Sequence, residues 1–299
     1  MGRAIGRVRL ALRVVDRALT SAGPADRAAL LRERGNLLDA QGVPDQAFAA
    51  WAEADAFGGG GFDRVAHRAA LDALVARTRG RRWTSGPHPD ADRVVLLVGP
   101  PASGVGLLER ALAASVPGIV AGGPSTALRE LGDVASGPFA TLPEAERATL
   151  RARYLALLGG DASQRVTDRG PDNLVRLDLV AALLPGARVV RCVRDRDDVA
   201  FACFRAGPGA NRPWAHDLGD IRAWLEDVER LADHWEAELP LRFHTVSYEA
   251  LVRDPLGVLG GVAAFLGRPA PVEAPAFLHT RSIGRSRRYA RHLEVTCPR

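Results

Sequence analysis

The 299-residue sequence contains no lysine, so all 40 of its basic residues are arginines. This absence excludes chemistry that depends on a lysine amine, such as Schiff-base formation, and also the lysine of a nucleotide-binding phosphate loop. The arginine bias is typical of a GC-rich genome. The net charge of +5 would nevertheless attract anionic ligands.

Cysteine is also scarce, since Cys192, Cys203 and Cys297 form an odd set without C-x-x-C spacing. Disulfide and metal frameworks are therefore not expected, and Cys192 is predicted to be a small core residue. The sequence lacks a bilayer-length apolar run and a signal cleavage site, which predicts a cytoplasmic protein without membrane contact. Arginines do not cluster with interleaved aromatic residues, so no nucleic-acid partner is expected.

The first 84 residues are rich in alanine and leucine and predict helices with a repeated spacing. A set of small and apolar residues recurs 36 positions apart, at Ala11, Val15 and Ala18 and again at Ala47, Trp51 and Ala54. Gly35 and Gly42 precede the second copy and would let antiparallel helices pack closely. This pattern indicates a tetratricopeptide-like region that could dock on a protein partner, with a generic helical hairpin as the alternative.

The most informative stretch is VVLLVGPPASGVGLLER at residues 94–110. The uninterrupted apolar run at 94–98 predicts a parallel strand that is buried on both faces. Gly99 and Gly104 have the G-x-x-x-x-G spacing of a loop that cradles a phosphate with backbone N–H groups at a helix N-terminus. The frame of an anion site is therefore present without the usual side chains.

From Arg93 onward, predicted strands alternate with predicted helices. Strands are expected at 94–98, 119–121, 164–167, 187–193 and 242–247. The order predicts an α/β domain at 93–299, a P-loop-like, mainly parallel sheet flanked by helices, preceded by the small all-α region at 1–84. Ligands of such sheets bind at the carboxyl ends of the strands, where the loops after these strands should converge.

Five segments of the second domain occur in an order that resembles one family. They are GPPASGVGLLERALAA at 99–114, RVTDRGPDN at 165–173, ARVVRCVRDRDDVAFACF at 187–204, VSYEALVRDP at 246–255 and SIGRSRRYARHL at 282–293. Together they resemble the sulfotransferase family, in its bacterial branch with N-terminal tetratricopeptide repeats, related to tyrosylprotein sulfotransferases. The resemblance implies metal-free transfer of a sulfuryl group from 3′-phosphoadenosine 5′-phosphosulfate to a hydroxyl or amine of a small-molecule or peptide acceptor.

The resemblance also assigns roles to matching positions. It implies catalytic roles for Arg169, which replaces the family's lysine, and for Ser282. It implies contacts with the donor at Gly99, Ser103, Gly104, Val105, Gly106, Arg194, Ala202, Tyr248, Gly284 and Arg285. Two of these have structural alternatives, since Arg194 could pair with Asp198 and Tyr248 could be a core residue.

Several family side chains are missing from this sequence. The loop arginine is replaced by Ala102, the two loop threonines by Val105 and Gly106, and a phosphate-binding serine by Ala202. The family's glutamate base falls on Pro124 or Ser125, and a serine without a base beside it cannot accept a proton near neutral pH. Replacement bases without positional support are Glu130, His216 and His244.

Three functional hypotheses therefore remain open. The first is an active, divergent sulfotransferase in which arginines carry the charge stabilisation. The second is a catalytically impaired homologue that acts as a binding or scaffold protein, through the helical repeat or through the old cleft. The third is a protein that binds a different anionic donor or a nucleotide-like ligand. Kinase chemistry is not expected, because the loop lacks both lysine and a magnesium-binding Ser or Thr.

Overall fold

The computed structural model describes residues 2–57, 61–81, 83, 86–135, 138–161, 163–209 and 212–295. Cys297 lies outside these residues. The strands are β1 (Val94–Val98), β2 (Ile119–Ala121), β3 (Arg165–Asp168), β4 (Arg188–Val193) and β5 (Arg242–Ser247). The α-helices are α1 (Gly2–Leu19), α2 (Pro24–Gln41), α3 (Pro44–Asp55), α4 (Arg64–Thr78), α5 (Val105–Ser115), α6 (Ala127–Val134), α7 (Glu144–Leu158), α8 (Leu177–Leu183), α9 (Arg196–Ala206), α10 (Leu218–Glu238), α11 (Tyr248–Arg253), α12 (Pro255–Phe265) and α13 (Ala290–Val295).

The five strands form one parallel sheet in the order β2-β3-β1-β4-β5. In the centre of the sheet, Leu96 of β1 pairs with Asp168 of β3 and with Val189 of β4. The predicted α/β fold is therefore confirmed, and the predicted strands differ from the observed ones by at most one residue at an end. A parallel arrangement brings the carboxyl ends of all five strands to the same edge.

Residue contacts group the chain into two compact units. We call residues 1–67, 195–226 and 282–299 the helical unit, and residues 68–194 and 227–281 the sheet unit. Each unit thus contains segments that are distant in sequence. The predicted division into domains at 1–84 and 93–299 follows chain order and stays a prediction.

In the sheet unit, every residue of β1 is buried, as its apolar sequence predicts. Val95 and Leu97 pack in a cluster with Leu108 of α5 and Leu259 of α12. Cys192 belongs to the same cluster, and burial raises the pKa of its thiol to about 12. The prediction that Cys192 is a small core residue is confirmed.

In the helical unit, α2 and α3 pack closely because Gly35 has no side chain. A Cβ atom at Gly35 would lie 2.3 Å from Nε1 of Trp51, which is fully buried. Gly42 does not make the predicted packing contact, because no atom lies within 4 Å of a Cβ built at this position. Instead, it ends α2 in the left-handed conformation with φ 82°. None of the helices in the described ranges combines the length and apolarity needed to cross a bilayer.

Candidate functional site

Four elements of the sheet unit meet at the carboxyl edge of the sheet. The loop from Gly99 to Gly104 follows β1, Arg169 follows β3, Arg194 follows β4, and Tyr248 follows β5. These are the predicted site residues that the structure brings together. They share this edge because their strands are parallel neighbours.

The loop has the tight path that its glycines predict. A Cβ atom at Gly99 would lie 2.6 Å from the carbonyl oxygen of Cys192, and one at Gly104 would lie 2.6 Å from Cδ2 of Tyr248. Neither position has room for a side chain. Ala102 has φ 65°, the left-handed conformation, which costs an L-residue roughly 1–2 kcal/mol.

Arg194 and Tyr248 support this loop from the neighbouring strands. Nη1 of Arg194 donates a 2.9 Å hydrogen bond to the carbonyl oxygen of Ala102. The guanidinium of Arg194 also lies over the Tyr248 ring, 4.4 Å from its centroid. Tyr248 is only 7% exposed and packs against Gly104. Both residues therefore support the conformation of the loop.

The loop leads into the N-terminus of α5, which is suited to an anion. An α-helix leaves its first N–H groups without intrahelical partners, and here they belong to Val105 and the next two residues. Ser103 is 1% exposed, and its Oγ atom is buried without a hydrogen-bond partner. A Cβ atom at Gly106 would lie 3.8 Å from Cζ of Arg169. A guanidinium thus lies beside the first turn of α5, whose dipole also favours negative charge.

Arg169 is held in place by Glu109, a residue that the sequence analysis missed. The Glu109 side chain is 3% exposed and forms an ion pair with Nε of Arg169. Its Oε1 atom accepts hydrogen bonds from Oγ1 of Thr167 at 2.7 Å and from the backbone N–H of Gly123 at 3.0 Å. The sequence feature that could have identified Glu109 is its position as an acidic residue among the apolar residues of the helix that follows the loop.

A second buried carboxylate, Asp168, lies next to Arg169. It accepts hydrogen bonds from Oγ of Ser125 at 3.0 Å, the hydroxyl of Tyr154 at 2.7 Å and the N–H of Gly170 at 3.0 Å. Burial, and then the charge of Asp168, raise the pKa of Tyr154 well above its usual value. The expectation that Ser125 has no base beside it is wrong, because strand β3 places this carboxylate against its hydroxyl.

The other candidate bases have different surroundings. Glu130 lies on α6 and accepts a 2.6 Å hydrogen bond from Oγ1 of Thr126. His244 lies inside β5, with its ring stacked on Phe265. His216 belongs to the helical unit, with Nδ1 at 3.8 Å from Oδ1 of Asp55. None of these contacts indicates a catalytic base.

The remaining predicted site residues belong to the helical unit. Ala202 lies on α9, and Ser282 ends a short 3₁₀ turn at Thr280–Ser282. Gly284 has φ 66° and precedes a 3₁₀ helix at Arg285–Tyr289. Arg285 forms an ion pair with the buried carboxylate of Asp39. A role of these residues in donor binding stays a prediction.

The fold and the loop together define an α/β protein with a phosphate-loop-like turn at the carboxyl edge of a parallel sheet. A model of the sulfotransferase family matches residues 95–272, a span that includes the loop, Arg169, Arg194 and Tyr248. The chain belongs to the sulfotransferase family. Across the described part of the chain, no group of His, Cys, Asp or Glu residues is arranged to hold a metal ion.

Two further similarities were found. A protein of Aquifex aeolicus (strain VF5), itself described as uncharacterized, is 27% identical over 215 residues, which cover 66% of this chain and 27% of the relative. The chain thus spans about a quarter of the length of that relative. The crystal structure of a sulfotransferase from Alicyclobacillus acidocaldarius is 18% identical, with a TM-score of 0.40, and the match covers 60% of this chain and 83% of the other.

Proposed function

We propose that this protein transfers a sulfuryl group from 3′-phosphoadenosine 5′-phosphosulfate to a hydroxyl or amine acceptor. The observation that carries the proposal is the Arg169 guanidinium, which buried Glu109 fixes beside the first turn of α5. Sulfuryl transfer needs an enzyme mainly to position the reactants and to stabilise developing negative charge. A fixed cation and aligned N–H groups can do both. Family membership supports the same conclusion.

The residues at the loop fit the phosphosulfate group. Ser103 offers a buried hydroxyl without a partner, and the nearest side-chain atoms to a Cβ at position 106 belong to Arg169. When bound, the donor supplies an activated sulfuryl group on a phosphate leaving group. The loop N–H groups and Ser103 would bind the phosphate, while Arg169 would stabilise the charge that develops as the bond from sulfur to the phosphate oxygen breaks.

The acceptor must also lose a proton as its oxygen or nitrogen bonds to sulfur. Half-buried Ser125 offers a path, because its hydroxyl is hydrogen-bonded to Asp168. In this scheme, the acceptor proton moves to Oγ of Ser125 while the Ser125 proton moves to Oδ1 of Asp168. The acceptor itself is proposed to be a small molecule or a peptide, in line with the resemblance to tyrosylprotein sulfotransferases.

A second candidate function has its own supporting observation. Arg285, which the resemblance assigns to the donor, is ion-paired with Asp39, and the loop positions Ala102, Val105 and Gly106 lack polar side chains. A protein that binds an anion or a protein partner without transferring a sulfuryl group would have this arrangement. Its helical unit, with the tetratricopeptide-like spacing, would then provide the partner surface.

The test is a transfer assay with radiolabelled donor and a panel of phenols, amines and tyrosine-containing peptides. We expect transfer that falls at least about a hundredfold in Arg169→Ala, since one charge-stabilising group contributes about that much. The control is Arg110→Ala on α5, where the exposed guanidinium lies over Phe277. Donor binding without transfer to any acceptor would contradict the enzyme proposal and favour the second candidate.

A further inference from the structure

Charged residues meet at the amino edge of the sheet, where the parallel strands begin. Arg165 and Arg188 are the first residues of β3 and β4, and Asp92 lies just before β1, the strand between them. Nη1 of Arg188 is ion-paired with Oδ1 of Asp92, and Nη2 of Arg165 lies 3.5 Å from Oδ2 of Asp92. Parallel strands run from this edge to the carboxyl edge, so these residues lie at the opposite end of the sheet from the loop after β1.

A third arginine, Arg268, reaches the same edge from the segment after α12. A Cβ atom at Gly118 would lie 2.8 Å from Nη1 of Arg268. The carbonyl oxygen of Gly118 accepts a 2.9 Å hydrogen bond from the backbone N–H of Arg165. Gly118 directly precedes β2 and has φ 76°. The guanidinium of Arg268 therefore packs on a glycine that is hydrogen-bonded to Arg165.

The charges at the amino edge do not balance. Within the described ranges, Asp92 is the carboxylate that pairs with Arg165 and Arg188, so three guanidinium groups and one carboxylate leave two positive charges in excess. Burial, and next the charge of Arg188, lower the pKa of Arg165, and Arg268 lowers it further, although arginine remains protonated near neutral pH. Arg242, the register partner of Arg188 on β5, adds positive charge and no acceptor. An anion would relieve this repulsion.

Two of these arginines also have buried donors without a partner. Nη1 of Arg165 and Nε of Arg268 are enclosed by protein atoms and form no hydrogen bond with a described residue. Arg188 differs, because its Nε donates a 3.0 Å hydrogen bond to the carbonyl oxygen of Phe265 and its Nη1 donates to Asp92. Water would accept the unused hydrogen bonds but would leave the charge unbalanced, whereas an oxyanion would do both.

The donors are held rigidly, and the cluster is open to solvent on one side. The side chains of Arg165 and Arg188 are 12% and 11% exposed, whereas that of Asp92 is 59% exposed. Strand pairing fixes the backbone of Arg165 and Arg188. The backbone N–H of Arg268 donates a 2.8 Å hydrogen bond to the carbonyl oxygen of Ala263 at the end of α12. Fixed donors reduce the entropy cost of binding a ligand that enters beside Asp92.

We propose that Arg165, Arg188 and Arg268 bind a tetrahedral oxyanion, a phosphate or sulfate group, at the amino edge of the sheet. A planar guanidinium matches two oxygens of such a group at once. All of these residues belong to the sheet unit, at the edge opposite the loop after β1, so the site does not depend on sulfuryl transfer. The group is either a free inorganic anion or part of an ester, and the experiments distinguish these sources.

The first experiment locates the anion in the wild-type protein. Crystals grown without sulfate or phosphate are soaked in sodium selenate, whose selenium gives an anomalous diffraction signal. We expect an anomalous peak within hydrogen-bond distance of Nη1 of Arg165 and Nε of Arg268. The absence of a peak at this position, with or without one at the N-terminus of α5, would overturn the proposal. A peak that fails the affinity test below would mark an adventitious ion only and would overturn it too.

The second experiment measures affinity for inorganic phosphate by calorimetry at constant ionic strength. Arg268→Gln should bind phosphate roughly ten- to hundredfold more weakly than the wild type, because charge-assisted hydrogen bonds are lost. The matched control is Arg253→Gln, which changes an exposed arginine at the end of α11 and should bind as the wild type does. Equal affinities of the two variants would contradict the proposal.

The excess of charge is tested by a substitution in the opposite direction. Asp92→Asn removes the exposed carboxylate that competes with the ligand, so we expect phosphate to bind several-fold more tightly. The control is Asp90→Asn in the same 3₁₀ turn, where the carboxylate lies 3.5 Å from Nη1 of Arg93. Weaker binding to Asp92→Asn, or the same gain in both variants, would show that Asp92 does not face the ligand and would overturn the proposal.

A final comparison separates this site from the loop at α5. Added to Arg169→Ala, Arg268→Gln should weaken phosphate binding by the same factor as in the wild type, since distant sites act independently. If it had no further effect there, phosphate would be binding at the loop and the proposal would be wrong. Glycerol 3-phosphate then replaces phosphate: binding at least as tight as that of phosphate identifies an ester, and much weaker binding identifies a free inorganic anion.

Discussion

Glu109 in the sheet unit and Asp39 in the helical unit are both buried carboxylates that interact with arginines. They differ in how many arginines lie beside each carboxylate. Glu109 pairs with one arginine, and its other bonds come from a threonine hydroxyl and a backbone N–H. Asp39 faces three arginines and one tyrosine hydroxyl. A one-to-one pair fixes the position of one guanidinium, whereas at Asp39 the arginines outnumber the carboxylate.

Asp55 of the helical unit provides a third case, in which a half-buried carboxylate has too few hydrogen-bond donors. Its Oδ1 is ion-paired with Arg32, but its Oδ2 is buried without a hydrogen bond. Burial outweighs the attraction of Arg32 and raises the pKa of Asp55 to about 7. The three carboxylates therefore differ in how fully their oxygens are satisfied, and each comparison can be tested by substitution.

The largest expected effect is that of Glu109→Gln. The substitution removes the charge that compensates Arg169 and leaves buried donors from Thr167 and Gly123 poorly matched. We expect a loss of about 3–5 kcal/mol in the free energy of unfolding, measured by urea denaturation, as for other broken buried ion pairs. Glu130→Gln, on the exposed side of α6, should stay within about 0.5 kcal/mol of the wild type. Equal stability of both variants would contradict the positioning role of Glu109.

The next effect is a pH dependence due to Asp55. Because its folded pKa is raised from 3.8 to about 7, the native state binds more protons than the unfolded state between these values. Its contribution to the free energy of unfolding is complete below about pH 4 and is lost as the pH rises through 7, by roughly 2–4 kcal/mol. Comparison of wild type with Asp55→Asn by urea denaturation from pH 4 to 8 should show that this loss is absent in the variant. A parallel pH profile in the variant would exclude Asp55 as its cause.

A smaller effect is expected when one missing side chain of the phosphate loop is restored. Position 106 has space, since the nearest atoms to a Cβ there lie 3.8 Å away on Arg169. Gly106→Thr should strengthen the binding of adenosine 3′,5′-bisphosphate about tenfold through its hydroxyl, as measured by calorimetry. Gly106→Val has almost the same shape without the hydroxyl and should bind as the wild type does. Similar affinities for the two variants would mean that position 106 does not face the ligand.

The smallest effect concerns the strained loop residue. Ala102→Gly removes the cost of φ 65° but adds backbone freedom to the unfolded chain. We expect a net gain of about 0.5–1 kcal/mol in the free energy of unfolding. Ala148→Gly, inside helix α7, should instead lose roughly 1 kcal/mol. A loss in both variants would show that the loop gains nothing from glycine at position 102.

The sequence predicts the elements of this fold better than the contacts between them. The apolar run at 94–98 and the glycines at 99 and 104 are local patterns, so the strand, the turn and the start of α5 could be predicted from them. The Glu109–Arg169 pair joins residues 60 positions apart, and the Asp39–Arg285 pair spans 246. Periodicity shows which face of a helix is buried, but it does not show which distant side chain meets it.

The same limit explains the error at Ser125. The motif order aligned the family's base with Pro124 or Ser125, and it placed Asp168 directly before Arg169. It could not show that the side chains of Ser125 and Asp168 form a hydrogen bond. That contact follows from the pairing of β2 and β3, since Ser125 lies in the loop after β2 and Asp168 ends β3. The sequence thus identifies the individual residues, but only the pairing of the strands shows that they are neighbours.

We propose that Arg169, fixed by Glu109, forms an anion site with the N-terminus of α5. The most direct test is calorimetric titration of adenosine 3′,5′-bisphosphate into the wild type, Arg169→Ala and Arg110→Ala. We expect binding to the wild type and to Arg110→Ala, and roughly ten- to hundredfold weaker binding to Arg169→Ala. Equal affinity for all three proteins, or no binding to the wild type at millimolar ligand, would show that Arg169 and α5 do not form this site.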